Sequence, residues 1–141
     1  MSSALMNAYH TAEIATLSQR DLIIKLYQGA LRFLNLAIDA AKHKQTEDVH
    51  KHCLRAKKIF IELASTLNFN QGGDIATQLY ELYIFFISRI TEANLRKDPS
   101  LIEELIPLIN SLVEAWEQVP HNLADTTSMP VNDGHSFSLR M

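Results

Sequence analysis

The sequence predicts an all-α protein: an antiparallel four-helix bundle carrying an extended N-terminal segment and a flexible C-terminal tail. Two observations carry this. Only four glycines and four prolines occur in 141 residues, so there is room for long helices but few of the turns that bound strands. Between those breakers the apolar residues recur at helical spacing in four successive blocks. Hydrophobic residues at 47% and charged residues at 21% are ordinary globular usage, and the length suits one domain. The boundaries fall at residues 1–17 for the N-terminal segment, 18–119 for the bundle and 120–141 for the tail.

The first helix starts at Ser18, a capping residue followed by Asp21 in the first turn, and its apolar period continues from Leu22 to about His43. A polar joint follows. Thr46 is the next candidate cap, after which Val49, Cys53, Ala56, Phe60, Leu63 and Leu67 repeat at helical spacing until NFNQGG. Gly72 and Gly73 end that pattern, and Asp74 can cap a third helix reaching about Lys97. Asp98-Pro99 marks the start of the fourth helix, because proline at the first helical position has no N–H to leave unsatisfied. This helix reaches about Val119. Pro107 within it predicts a kink or a split between Glu103 and Pro107. The core is expected to contain Leu26, Phe33, Phe60, Leu63, Leu82, Phe86, Leu105, Leu112 and Trp116.

Helix three is too apolar for one buried face. Ile75, Leu79, Leu82, Phe86, Ile90 and Ala93 form the stripe a bundle needs, yet Tyr80, Ile84, Ile87 and Thr91 form a second. On helix two, Leu54 and Ile61 also lie off the core stripe, one heptad apart. The second stripe is either covered by the rest of the chain or forms a groove between helices two and three for an amphipathic partner.

Other functions find little support. A net charge of −3 without an isolated Lys/Arg cluster argues against nucleic acid as partner. The single Cys53 cannot form an internal disulfide, and MSSALMNAYHTAEIA lacks the basic and apolar regions of a signal peptide, so a cytoplasmic protein is expected. QLYELYIFFISRI is too short and too charged to insert in a membrane. Glu47 and His50 match the Glu-x-x-His spacing of a di-iron bundle only once, and His50 with Cys53 gives two zinc ligands where four are needed. No metal, cofactor or catalytic group is expected. The stretch from His52 to Lys57 partly resembles the H-x-L-K-G core of histidine phosphotransfer domains, with Arg55 as the charge-stabilising cation. Its glycine is replaced by Ala56, which makes phosphotransfer through His52 the alternative reading.

A broader resemblance runs from residue 7 to 119. Asn7-Ala8-Tyr9, Leu26-Tyr27-x-Gly29-Ala30-x-x-Phe33-Leu34, Gly72-Gly73, Leu82-Tyr83, Ala93-Asn94 and Ala115-Trp116, in this order and spacing, resemble the FliS family of flagellar secretion chaperones. Two departures stand out: Leu17 and Gln19 flank Ser18 where the family usually has alanine and proline, which predicts a slightly frayed first turn, and Pro107 interrupts the fourth helix. The resemblance implies a partner, the disordered C-terminal segment of flagellin, and delivery to a component of the flagellar type III export gate. It makes Leu54, Ile61, Tyr80, Ile84 and Ile87 the expected flagellin-binding residues. It also makes residues 5–17, with Leu5, Tyr9 and Ile14, a displaceable lid over the cleft. A monomer or weak dimer is expected.

Overall fold

The structure, a computed structural model, describes residues 18–120. Leu5, Tyr9 and Ile14 of the expected lid, and the tail after Pro120, lie outside the described residues. Among the described residues five helical segments build four legs: α1 Gln19–Lys42, α2 Thr46–Ser65, α3 Phe69–Arg96, α4 Pro99–Glu103 and α5 Ile106–Glu117. The last two together form the fourth leg. α1 packs against α2, α4 and α5, whereas α3 packs against α2 and α4. The helices run up and down with short connections, as an antiparallel bundle requires.

The starts of the first and fourth legs are those the sequence predicts. Ser18 Oγ accepts the N–H of Asp21 at 3.0 Å, so this cap persists without the proline after it. Asp98 Oδ1 accepts the N–H of Ser100 at 2.9 Å, with Pro99 opening α4. The fourth leg is split, as Pro107 predicts: α4 ends at Glu103, and the chain makes a tighter turn, Leu105 N–H to Ile102 C=O at 2.9 Å, before α5 begins.

Two caps differ from expectation. Thr46 is the first residue of α2 rather than its cap; Gln45 holds the cap position and makes no side-chain bond there. Lys44, at φ 59°, has already turned the chain, so α2 starts without a capping hydroxyl. α3 begins five residues before Asp74, because Asn68 accepts the N–H of Gln71 at 3.0 Å and nucleates a turn over Phe69–Gly72. Gly73 then adopts φ 56°, ψ −130°, a conformation essentially reserved for glycine, and the helix resumes beyond it along a new direction. The glycine pair thus bends α3 instead of separating it from α2.

Of the expected core residues, Phe60, Leu63, Phe86, Leu105 and Trp116 are buried. Leu26, Phe33, Leu82 and Leu112 are half-buried and pack on the rim. The innermost positions on α1 and α3 belong to Tyr27 and Tyr83, both wholly buried, with Leu34, Phe86 and Ile90. Two tyrosines can occupy the axis because their hydroxyls meet at 2.6 Å, each supplying the partner that burial demands. Burial disfavours the phenolate of both, taking Tyr27 up to about 12 and Tyr83 higher still. Phe60 packs between Tyr83 and Phe86, with ring centroids at 6.0 and 4.9 Å. Seating Tyr83 inward turns α3 about its axis, which leaves Ile75, expected in the core stripe, exposed.

Candidate functional site: the groove between α2 and α3

Among the described residues, two side-chain hydrogen bonds cross the seam between α2 and α3. Lys57 Nζ donates to Thr91 Oγ1 at 3.0 Å, and Asn94 Nδ2 lies 2.9 Å from His50 Nδ1. They define which face of each helix looks at the other. On α2, Leu54 lies four residues after His50 and Ile61 four after Lys57, so both share that face. On α3, Ile87 and Ile84 precede Thr91 by four and seven, and Tyr80 precedes Ile84 by four. Antiparallel pairing brings Ile61 level with Ile84 and Ile87. The five residues expected to bind a client thus border one groove.

Four of them remain open to solvent: Leu54 at 42%, Ile61 at 48%, Tyr80 at 41% and Ile84 at 43% of full exposure. Ile87 differs, being half-buried against the core and forming the floor. The Tyr80 ring meets Phe69 edge-on at 5.7 Å and extends the apolar strip to the end of α2. Phe69 was not expected here. The sequence placed it in a connection, whereas the Asn68 cap folds it into α3. Leu95, at 80% the most exposed large apolar residue described, lies four residues beyond Thr91 and continues the strip at its other end.

A depression of about 450 Å³ lies on the outward face of α2, lined by Lys51, Leu54, Arg55, Lys57, Lys58 and Ile61, and shares Leu54 and Ile61 with the apolar strip. This mixture of apolar floor and cationic rim was also not anticipated. A smaller depression of about 250 Å³ lies between the start of α1 and the end of α2, lined by Gln19, Leu22, Ile23, Leu26, Glu62, Leu63 and Thr66.

The His52 alternative meets a different environment from an open phosphate acceptor. The imidazole stacks on Phe33 with an interplanar angle of 18°, and its Nδ1 is sealed from solvent without a hydrogen-bond partner among the described residues. Burial, followed by the nearby Lys51 and Arg55, holds its pKa below the ordinary value. Arg55 lies over the Phe33 ring at 5.7 Å, engaged with an aromatic face rather than with the histidine nitrogen. Cys53 is buried and its thiol is pushed up to about 11, chiefly by burial, which makes it a poor metal ligand or nucleophile. Among the described residues no three or more His, Cys, Asp or Glu side chains cluster as metal ligands, and no helix is long and apolar enough to cross a membrane.

A bundle with a closed core and an apolar groove along two antiparallel helices is a helical binding module, shaped for an extended or helical peptide. The chain belongs to the FliS family: the family model described as "Flagellar protein FliS" matches residues 1–123. It is similar to the flagellar secretion chaperones FliS of Campylobacter jejuni, 36% identical over 82% of this chain and 91% of the relative, and Salmonella typhimurium, 37% identical over 75% and 79%. It is also similar to the one from Vibrio cholerae, 31% identical over 79% and 85%.

Proposed function

We propose that the protein is an export chaperone that binds the disordered C-terminal segment of flagellin in the cytoplasm, prevents its premature polymerisation and escorts it to the flagellar type III export gate. The observation that carries this reading is the convergence of Leu54, Ile61, Tyr80, Ile84 and Ile87 on one groove in a chain of this family. A disordered client segment that folds on binding needs apolar surface already in place, because it must offset its own ordering entropy. The groove supplies such surface without disturbing the Tyr27–Tyr83 core behind it. No catalytic step, metal or cofactor is part of this function.

Residues 5–17, with Leu5, Tyr9 and Ile14, act as the displaceable lid. The exposed apolar strip of Leu54, Ile61, Tyr80 and Ile84 supports this role, since it offers the apolar side chains of that segment a surface to cover. Calorimetric titration with the C-terminal segment of the cognate flagellin tests the proposal. Saturable one-to-one binding, accompanied by a negative heat-capacity change from apolar burial, is expected. Absence of binding to the full chain refutes it.

A further inference from the structure

The groove is electrically lopsided. Lys51 and Lys58, seven residues apart, form a row along its α2 flank, with Lys57 between them nearer the seam. Lys57 is held by the Thr91 hydroxyl, and neither it nor Lys58 has a carboxylate partner among the described residues. Lys51 is only loosely matched, 3.9 Å from Asp48. The α3 flank carries Thr77, Glu81 and Ser88, and its next acid, Glu92, is already neutralised by Arg89 at 3.5 Å and Arg96 at 3.1 Å. Lys51, Lys57 and Lys58 therefore set a run of positive charge beside the open apolar strip of a chain of net charge −3, on the α2 flank, with Glu47 and Glu62 one turn beyond its two ends and paired with none of the three among the described residues.

We infer that the groove selects a client helix bearing Asp or Glu along the flank that lies over α2, with Lys51, Lys57 and Lys58 as the specificity-determining cations. This rests on the groove being the client site and adds the chemistry of the segment it takes. The apolar strip alone does not distinguish one amphipathic helix from another, nor one orientation from its reverse. Placing the cations on one flank does both: a helix laid in backwards puts its acidic edge over Glu81 and the α3 side, where like charges repel. Partly exposed lysines are suited to this role, since charges at the rim act mainly on encounter and discrimination.

The test is a charge reversal, K51E/K58E, which leaves the Lys57–Thr91 bond and every apolar groove residue in place. Association of the cognate flagellin C-terminal segment is measured by stopped-flow fluorescence and calorimetry at low and high salt, alongside the groove variant I61N/I84N. Two reversed rim charges are expected to weaken binding about tenfold at low ionic strength, mostly through the association rate, and the loss should shrink to about twofold near 1 M salt. Changing the client's acidic flank to lysines should restore affinity for the reversed variant. If K51E/K58E binds as the wild type does while I61N/I84N fails, the charge inference is overturned and the groove stands. A loss of equal size at every salt concentration also overturns it, because that pattern is structural. If both variants bind normally, or the wild type does not bind, the groove assignment falls and the inference with it.

Discussion

The double substitution I61N/I84N separates client binding from folding, and its size can be worked out from exposure. Burying a whole isoleucine side chain is worth about 1.5–3 kcal/mol. Ile84 keeps 43% of its exposure and Ile61 48%, so a client in the proposed groove would have slightly less than half of each left to cover. Scaling the transfer energy accordingly gives about 0.6–1.4 kcal/mol per residue, and the pair should weaken flagellin binding roughly 10- to 100-fold. The half of each side chain already packed in the free protein is lost as well. That costs about 1 kcal/mol of stability per site, a shift of a few degrees in Tm for a domain of this size. Phe86→Ala is the contrasting control, because its wholly buried ring leaves a cavity costing about 3–5 kcal/mol. The assays are calorimetric titration with the flagellin segment and urea unfolding of each variant. Refutation is specific: if I61N/I84N unfolds as readily as Phe86→Ala while the remaining folded protein binds at wild-type affinity, these residues are internal packing.

Three further outcomes are expected. Gly73→Ala should cost about 1–3 kcal/mol in urea unfolding, purely as backbone strain, since an added Cβ meets nothing within 4 Å. His52 has a folded-state pKa below the ordinary 6.5, so the unfolded chain takes up its proton first; the stability that the neutral imidazole contributes is intact above that value and is lost as pH falls through the folded pKa. Unfolding curves between pH 7 and 5 should accordingly show a shallower pH dependence for His52→Phe than for wild type, and identical slopes would count against a sealed Nδ1. Hydrogen exchange of residues 5–17 should change on addition of the flagellin segment, and unaltered protection there would remove the lid from the mechanism.

Local chemistry was the legible part of the fold. Ser18 and Asp98-Pro99 announce helix starts because the capping side chain and the N–H it accepts lie within three residues of each other. The Pro107 split is local in the same sense. The rim and the axis of the core were harder to tell apart, since choosing Tyr83 over Leu82 depends on a hydroxyl 56 residues away in Tyr27, which no periodicity encodes. Asn68 looked like part of a loop because the glycine pair behind it reads as a terminator, although Gly73 only bends the helix. For the site, Leu54 and Ile61 stood out by lying off their helix's core stripe, and the exposure of both agrees. The lysine row was hidden because positive residues scattered along α2 become a one-sided rim only once α3 is set beside them.

The placement of Trp116, the single tryptophan of the chain, gives the molecule a built-in reporter. It is 4% exposed on α5, where its indole reaches the Tyr27 hydroxyl, and α5 packs against α1, away from the α2–α3 groove. Its emission should therefore be blue-shifted while the fourth leg is docked, move to the red when the bundle opens, and stay nearly silent when a client enters the groove. One chromophore can thus certify, in the same cuvette, that a binding-deficient variant is still folded.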